Sequence, residues 1–284
     1  MRIGVTLPSH IPGVVAADVL AWARRAEEHG FATLAAMDRV VYDDLEALTA
    51  LTAAAVVTER IELLTNVLIV PQRISAAVLA KQLATLDAFA GHRLRVGIGV
   101  GDRERDYRIA GADMRGRFDR VDEMIDEMRA IWRGEDEAAS GIGPRPPRGR
   151  PPLLLGGRTD RALRRAVRHD AGWTMALGTP ERFRESVDKL AAWRAEAGLR
   201  GPAQTVVSTY FALGGDARRV GPEFVREYFS FIGPHAEHVA QSTPTDAGAV
   251  RGVIDSYAAL GADELIFIPT ATSIDQLDQL AALR

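Results

Sequence analysis

Short apolar runs alternate with amphipathic stretches from one end of the chain to the other. Eight runs read as strands: Ile3–Leu7, Thr33–Met37, Ile61–Ile69, Leu94–Ile98, Leu153–Leu155, Gly172–Met175, Thr205–Leu213 and Glu264–Ile268. Their hydrophobicity is continuous and not alternating, which suits strands buried on both faces of a parallel sheet. Between them apolar residues recur at helical spacing. Phe118, Val121, Ile125, Met128 and Trp132 form one stripe over 117–133, with Asp119, Asp122, Glu123, Asp126 and Glu127 on the wet side. Asp18 and Ser75 are placed to N-cap helices. Gly30 and Gly261 each stand between a helix and a strand, where a helix C-cap belongs.

Eight strands with intervening helices predict an α/β fold, a (β/α)8 TIM barrel built as a single domain from residues 1–284. A doubly wound sheet fits less well, because the first strand runs into Pro8-Ser9-His10 and not into a GxGxxG turn. Two segments break the rhythm. Gly141–Pro152, GIGPRPPRGRPP, reads as an extended connector whose arginines are either solvated or reach an anion. The stretch 214–246, with a helix predicted at 222–231, falls between strands seven and eight. On a barrel that places it at the active-site face, as a candidate lid.

Composition narrows the chemistry. Thirty-five Lys and Arg against 38 Asp and Glu leave a net charge of −3, no footprint for nucleic acid or an anionic membrane. There are no cysteines, which removes disulfides, thiolate catalysis and Cys-based metal sites. No apolar run approaches the roughly 18 residues of a membrane span, and the start lacks a signal-peptide pattern. These features predict a cytoplasmic protein. His235 and His238 stand at i, i+3, but no compact metal-ligand spacing is present, so no metal is predicted. Lys81 and Lys189 are the only lysines, and both read as helical, so no strand end carries a Schiff-base lysine.

The remaining candidates cluster at strand ends. Leu155 runs into Gly156-Gly157-Arg158-Thr159-Asp160: two glycines, a guanidinium and a helix cap. That pattern suits either a phosphate cradle or a tight capped turn. Gly97, Gly99 and Gly101 alternate at another strand end, where a flat ligand could approach the backbone. Helix signals follow only near Met114, so this is no dinucleotide fingerprint. Asn66 sits among apolar strand residues and needs a partner, in the barrel or in a ligand. His10, Asp38, Arg39, Asp102, Arg103 and Glu104 are ionisable groups near strand ends.

Residues 64–101, LTNVLIVPQRISAAVLAKQLATLDAFAGHRLRVGIGVG, resemble the luciferase-like monooxygenase superfamily. Downstream pieces agree in order: Asp106-Tyr107, Gly111, Arg117-Phe118, Ile131-Trp132, Pro151-Pro152, Gly156-Gly157, Ala171-Gly172-Trp173 and Gly261-Ala262-Asp263-Glu264. The resemblance implies an oxidoreductase with a flavin-type cofactor over the C-terminal mouth of the barrel. Either reduced FMN with oxygen or coenzyme F420 fits it, for oxygenation or hydride exchange with a small organic substrate. It puts the ring around Leu7, Asp38, Asn66, Val67 and Gly99. It puts the phosphate at Gly156, Gly157 and Arg158, followed by Ala176 and Leu177. It also implies a cis peptide at Asn66–Val67, a homodimer and, with FMN, a separate flavin reductase. One departure stands out. Many members carry a histidine at the end of strand two, where this chain has Met37-Asp38-Arg39-Val40. Asp38 or His10 is then the expected acid or base, unless Asp38 pairs with Arg39 or caps a helix. Two alternatives remain: a flavin-binding barrel without catalysis, and a barrel enzyme for a phosphorylated substrate.

Overall fold

The computed structural model describes residues 1–284. Eight parallel strands follow one another around a closed barrel. They are β1 (Arg2–Thr6), β2 (Thr33–Ala36), β3 (Glu62–Ile69), β4 (Leu94–Gly99), β5 (Leu153–Gly156), β6 (Gly172–Ala176), β7 (Thr205–Phe211) and β8 (Glu264–Pro269). β1 closes the ring against β8, in register from Arg2 opposite Glu264 to Val5 opposite Phe267.

The continuous apolar runs have two burial sites. Outward side chains such as Leu63, Trp173, Leu265 and Phe267 join the helices in the main core. Inward ones, Ala35, Leu64, Leu154, Val206 and Ile266, form a separate cluster that plugs the barrel. Below the plug lies a charged layer. Arg95 donates to Glu264 (2.7 Å) and to the Thr33 hydroxyl (2.7 Å), and its Nε lies 2.8 Å from Glu62. Glu264 is wholly buried, a placement a carboxylate tolerates only when paired. Above the plug the next inward residues are small or polar, among them Asn66, Gly99, Gly156, Thr174 and Ser208. They leave the C-terminal mouth open.

Helix Arg117–Arg133 forms over the residues its stripe predicts. Ser75 caps helix Ala76–Phe89 by accepting from the Val78 N–H. Lys81 and Lys189 are both helical. Gly30 and Gly261 both take positive φ after their helices.

Four details differ from the sequence reading. The first helix starts at Ala16 with Val15 at the cap, so Asp18 sits inside the first turn, where its charge meets the helix dipole. β7 stops at Phe211, because the Ala212 N–H turns to Pro244 and the Leu213 N–H to Gln276. A short helix, Glu104–Ala110, intervenes soon after β4, well before Met114. In 214–246 the helix runs Ala217–Tyr228 and contains Pro222; a 3-10 turn (Ser230–Ile232) and helix His235–Gln241 follow. Asp216 starts it early, since its carbonyl already accepts from Arg219 and Val220.

Candidate active site

One cavity of about 450 Å³ opens at the C-terminal mouth. Asp38, Asn66, Val67, Gly99, Gly156, Gly157, Arg158, Ala176 and Leu177 all line it. Leu7 and His10 do not; both are buried, Leu7 in the main core and His10 beneath the aromatic side.

The floor is built by β3, β4 and β5. The Asn66–Val67 peptide is cis. The Asn66 side chain is held inside the barrel, donating to Ser208 (2.6 Å) and accepting from Thr174 (2.9 Å). Val67 lies against the glycines of the neighbouring strands. A Cβ at Gly99 would stand 2.4 Å from a Val67 methyl, and one at Gly156 would stand 2.9 Å from the other. Glycine at these two positions is therefore a packing requirement that keeps the floor flat.

One end of the cavity is an anion cradle. Thr159 caps helix Asp160–Arg168 by accepting from the Ala162 N–H. Gly157 holds φ +136°, and a Cβ there would meet Ala162 at 2.6 Å. Arg158 forms no ion pair and donates to the Leu177 carbonyl (3.2 Å), tying the β5 loop to the β6 loop. Leu177 itself takes φ +55°, uncommon for a branched residue. Arg117 enters from the opposite wall. It donates to Met114, while its Nε is buried with no partner. A buried guanidinium N–H without an acceptor is costly, and an anion in the cradle would satisfy it.

The other side is aromatic. Tyr228 and Phe229, from the segment 214–246, line the cavity. Tyr42 packs edge-on against Tyr228 (5.2 Å between centroids). Arg103 lies over Phe231 (3.8 Å) and Tyr228 (4.8 Å), donates to the Tyr228 carbonyl and has no ion pair. Arg39 lies over Tyr42 and Tyr228 and pairs with Asp106 (3.0 Å). Burial lowers the Arg103 pKa and raises those of Tyr210 and Tyr228.

Asp38 pairs with neither Arg39 nor a helix. It accepts from Arg73 (2.7 Å) and from the Ile69 N–H (2.8 Å), so both oxygens fix the end of β3. Burial pushes its carboxyl up against the opposing pull of Arg73. His10 stands between two carbonyls, Leu7 (3.1 Å) and Pro269 (3.0 Å), with Phe224, Tyr210 and Tyr228 edge-on around it. Burial lowers its pKa to about 4, so the ring is neutral at pH 7.

Sequence reasoning missed Tyr42, Tyr228 and Phe229. The run of aromatics from Phe224 to Phe231 was the available signal. It also missed Asp44, whose pKa rises to about 7 through burial, opposed by Arg39 and reinforced by Asp38 and Asp106. His235 and His238 lie exposed on helix His235–Gln241, away from the cavity.

The family model for luciferase-like monooxygenases matches residues 1–272. An uncharacterised protein of Mycobacterium tuberculosis is 33% identical over 175 residues, 58% of this chain and 59% of that protein's length. The FMNH2-dependent dimethylsulfone monooxygenase of Pseudomonas putida is 26% identical over 217 residues, 72% of this chain and 58% of the relative. These matches therefore span less than two thirds of the curated relatives. Among solved structures, an F420-dependent secondary alcohol dehydrogenase shares the fold with a TM-score of 0.82 at 17% identity, over 100% of this chain and 98% of the other. No helix is long and apolar enough to cross a membrane. With a family match over nearly its whole length and a barrel of the same architecture, the chain belongs to the luciferase-like monooxygenase family.

Proposed function

We propose that the chain is an oxidoreductase that seats FMN or coenzyme F420 across the barrel mouth and acts on a small organic molecule beside the aromatic wall. The observation that carries this reading is the orphaned Nε of Arg117, a residue that lines the same cavity as the Gly156–Thr159 cradle. Both cofactors share a flat tricyclic ring and a phosphate ester. The cradle suits the phosphate, and the glycine floor suits the ring.

When bound, the cofactor supplies the redox chemistry that no side chain here can. The chain's own residues do the rest. Arg158 and Arg117 hold the phosphate, with the start of helix Asp160–Arg168 adding its dipole. Asn66, locked by Ser208 and Thr174, keeps the floor rigid. Tyr228 and Phe229 cover the reacting face and exclude water. Asp38 is a positioning residue in this reading, because both its oxygens are engaged. His10, sealed and neutral, supports the aromatic wall. A homodimer, and a separate flavin reductase for the FMN form, belong to the same reading.

The test is a visible absorption titration of the purified chain with FMN and with F420, each oxidised and reduced. Saturable binding of one of them, weakened in Arg117→Ala and Arg158→Ala, is the expected result. Binding of neither in either redox state overturns the reading and leaves the cradle to a phosphorylated substrate.

A further inference from the structure

The proline–arginine connector runs beneath the opposite end of the barrel. It joins β5 there, with the Pro152 carbonyl accepting from the Val96 N–H (2.8 Å). Together with the starts of β3 and β4 it encloses a second cavity, of about 260 Å³. Pro146, Pro147, Pro151 and Pro152 form one wall. Proline fixes φ, so this wall is set before any ligand arrives.

The lining is also rich in guanidinium. Of the arginines lining the cavity, Arg93 is spent on the carbonyls of Ala55, Thr58, Ile61 and Ala90. Arg148 and Arg150 form no ion pair. Arg60 is largely exposed, with Glu27 at 4.0 Å. Arg95 has only 6% of its side chain exposed. Its Nη2 and Nε face carboxylates, but its Nη1 is buried with no partner, and so is the Nη1 of Arg150. The acidic groups of the lining are already engaged. Glu62 holds Arg2 (2.7 Å) and Arg95 (2.8 Å), and Asp87 holds His92 (2.9 Å). A chain of net charge −3 thus concentrates free positive charge in one preformed hollow. Buried donors without acceptors call for an explanation, and an oxyanion supplies the missing acceptors.

We propose that this cavity binds a phosphate chain of two or more phosphates, at a site separate from the cradle at the barrel mouth. Arg95 takes the deep phosphate, and Arg148 and Arg150 take the next at the rim. Inorganic pyrophosphate and the tail of a nucleoside diphosphate share this chemistry. The inference does not depend on the cofactor reading.

The experiment uses the full chain carrying Arg158→Gln, which weakens the mouth cradle. Calorimetric titrations with pyrophosphate, ADP and orthophosphate are run at low ionic strength. Pyrophosphate is expected to bind one site, at least about tenfold tighter than orthophosphate. Adding Arg148→Gln and Arg150→Gln should weaken it by about tenfold or more, with the melting temperature unchanged. Removing equal charge at the distant, exposed Arg218 and Arg219 should leave it intact. ADP binding as well as pyrophosphate assigns the site to nucleotides, and pyrophosphate binding alone assigns it to the inorganic ion. Absence of binding, equal affinity for orthophosphate, or binding that survives the double substitution overturns the proposal.

Discussion

The two sides of the barrel mouth differ in what surrounds their arginines. On the β5–β6 side, Arg158 and Arg117 line the cavity with no carboxylate partner, each donates to one backbone carbonyl, and Arg117 also lies over Phe118 (4.3 Å). On the side that joins β7, β1 and β2, Arg39 and Arg103 lie over tyrosine and phenylalanine rings. There the charge is balanced by the ring faces and, for Arg39, by Asp106. The first arrangement leaves hydrogen-bonding capacity for an anion. The second spends the donors of Arg39 on Asp106 and the Val41 carbonyl and uses the ring faces to close a wall. A guanidinium near a cavity therefore reads as a ligand contact only when its donors remain free.

The aromatic side is sealed, and pH tests the seal most strongly. His10 titrates near pH 4 in the fold and near 6.5 when unfolded. Between those values the unfolded chain binds a proton that the folded chain refuses. The stability contributed is fully present above pH 6.5 and is lost as pH falls toward 4, about 3 kcal/mol in all. His10→Gln should remove that dependence, so urea unfolding at pH 7 and pH 4.5 should differ by about 2–3 kcal/mol less than in the parent. Equal losses in both proteins would mean that water reaches this pocket.

Asp38→Asn probes the join between the two sides. It weakens the buried pair with Arg73 and the anchor on Ile69, at an expected cost of about 2–3 kcal/mol in unfolding free energy. The cavity should still take cofactor in an absorption titration, with turnover slowed through a shifted floor. Unchanged stability would free Asp38 from its positioning role.

The cradle responds in binding. Arg158→Ala and Arg117→Ala should each weaken FMN or F420 by about ten- to a hundredfold, the loss of one charge-assisted contact of roughly 1.5–3 kcal/mol. The same titration on Tyr228→Leu should show a much smaller change. If the two effects are equal, the sides do not divide the work as argued.

The two sides also differ in how far the sequence reveals them. The barrel was readable because strands buried on both faces leave continuous apolar runs, and those runs sit on or within two residues of the observed strands. The cradle was readable because its parts are contiguous: Gly156, Gly157, Arg158 and Thr159 follow a strand and open a helix. The aromatic wall was not, because its parts come from distant places, with Tyr42 after β2, Arg103 after β4 and Tyr228 after β7. No local spacing encodes that meeting. His10 illustrates the same limit. Its position near a strand end suggested a proton carrier, whereas the fold closes two carbonyls and three rings around it. Asp38 likewise found Arg73, 35 residues away, in place of its neighbour Arg39.

The smallest effect is the most specific to the aromatic side. Arg103 joins the loop after β4 to the 3-10 turn Ser230–Ile232 through ring faces and one hydrogen bond to Tyr228. Arg103→Gln removes the stacked charge, worth about 1 kcal/mol at a half-buried site. Local opening of residues 228–232 should then rise about fivefold, which amide hydrogen exchange reads directly. Arg103→Lys keeps the charge but loses the planar stack, so it should fall between the two. Exchange at Gly157–Thr159 should not change in either variant. Parallel acceleration on both sides would show the mouth opening as one unit, and the division between a rigid cradle and a separately pinned wall would fail.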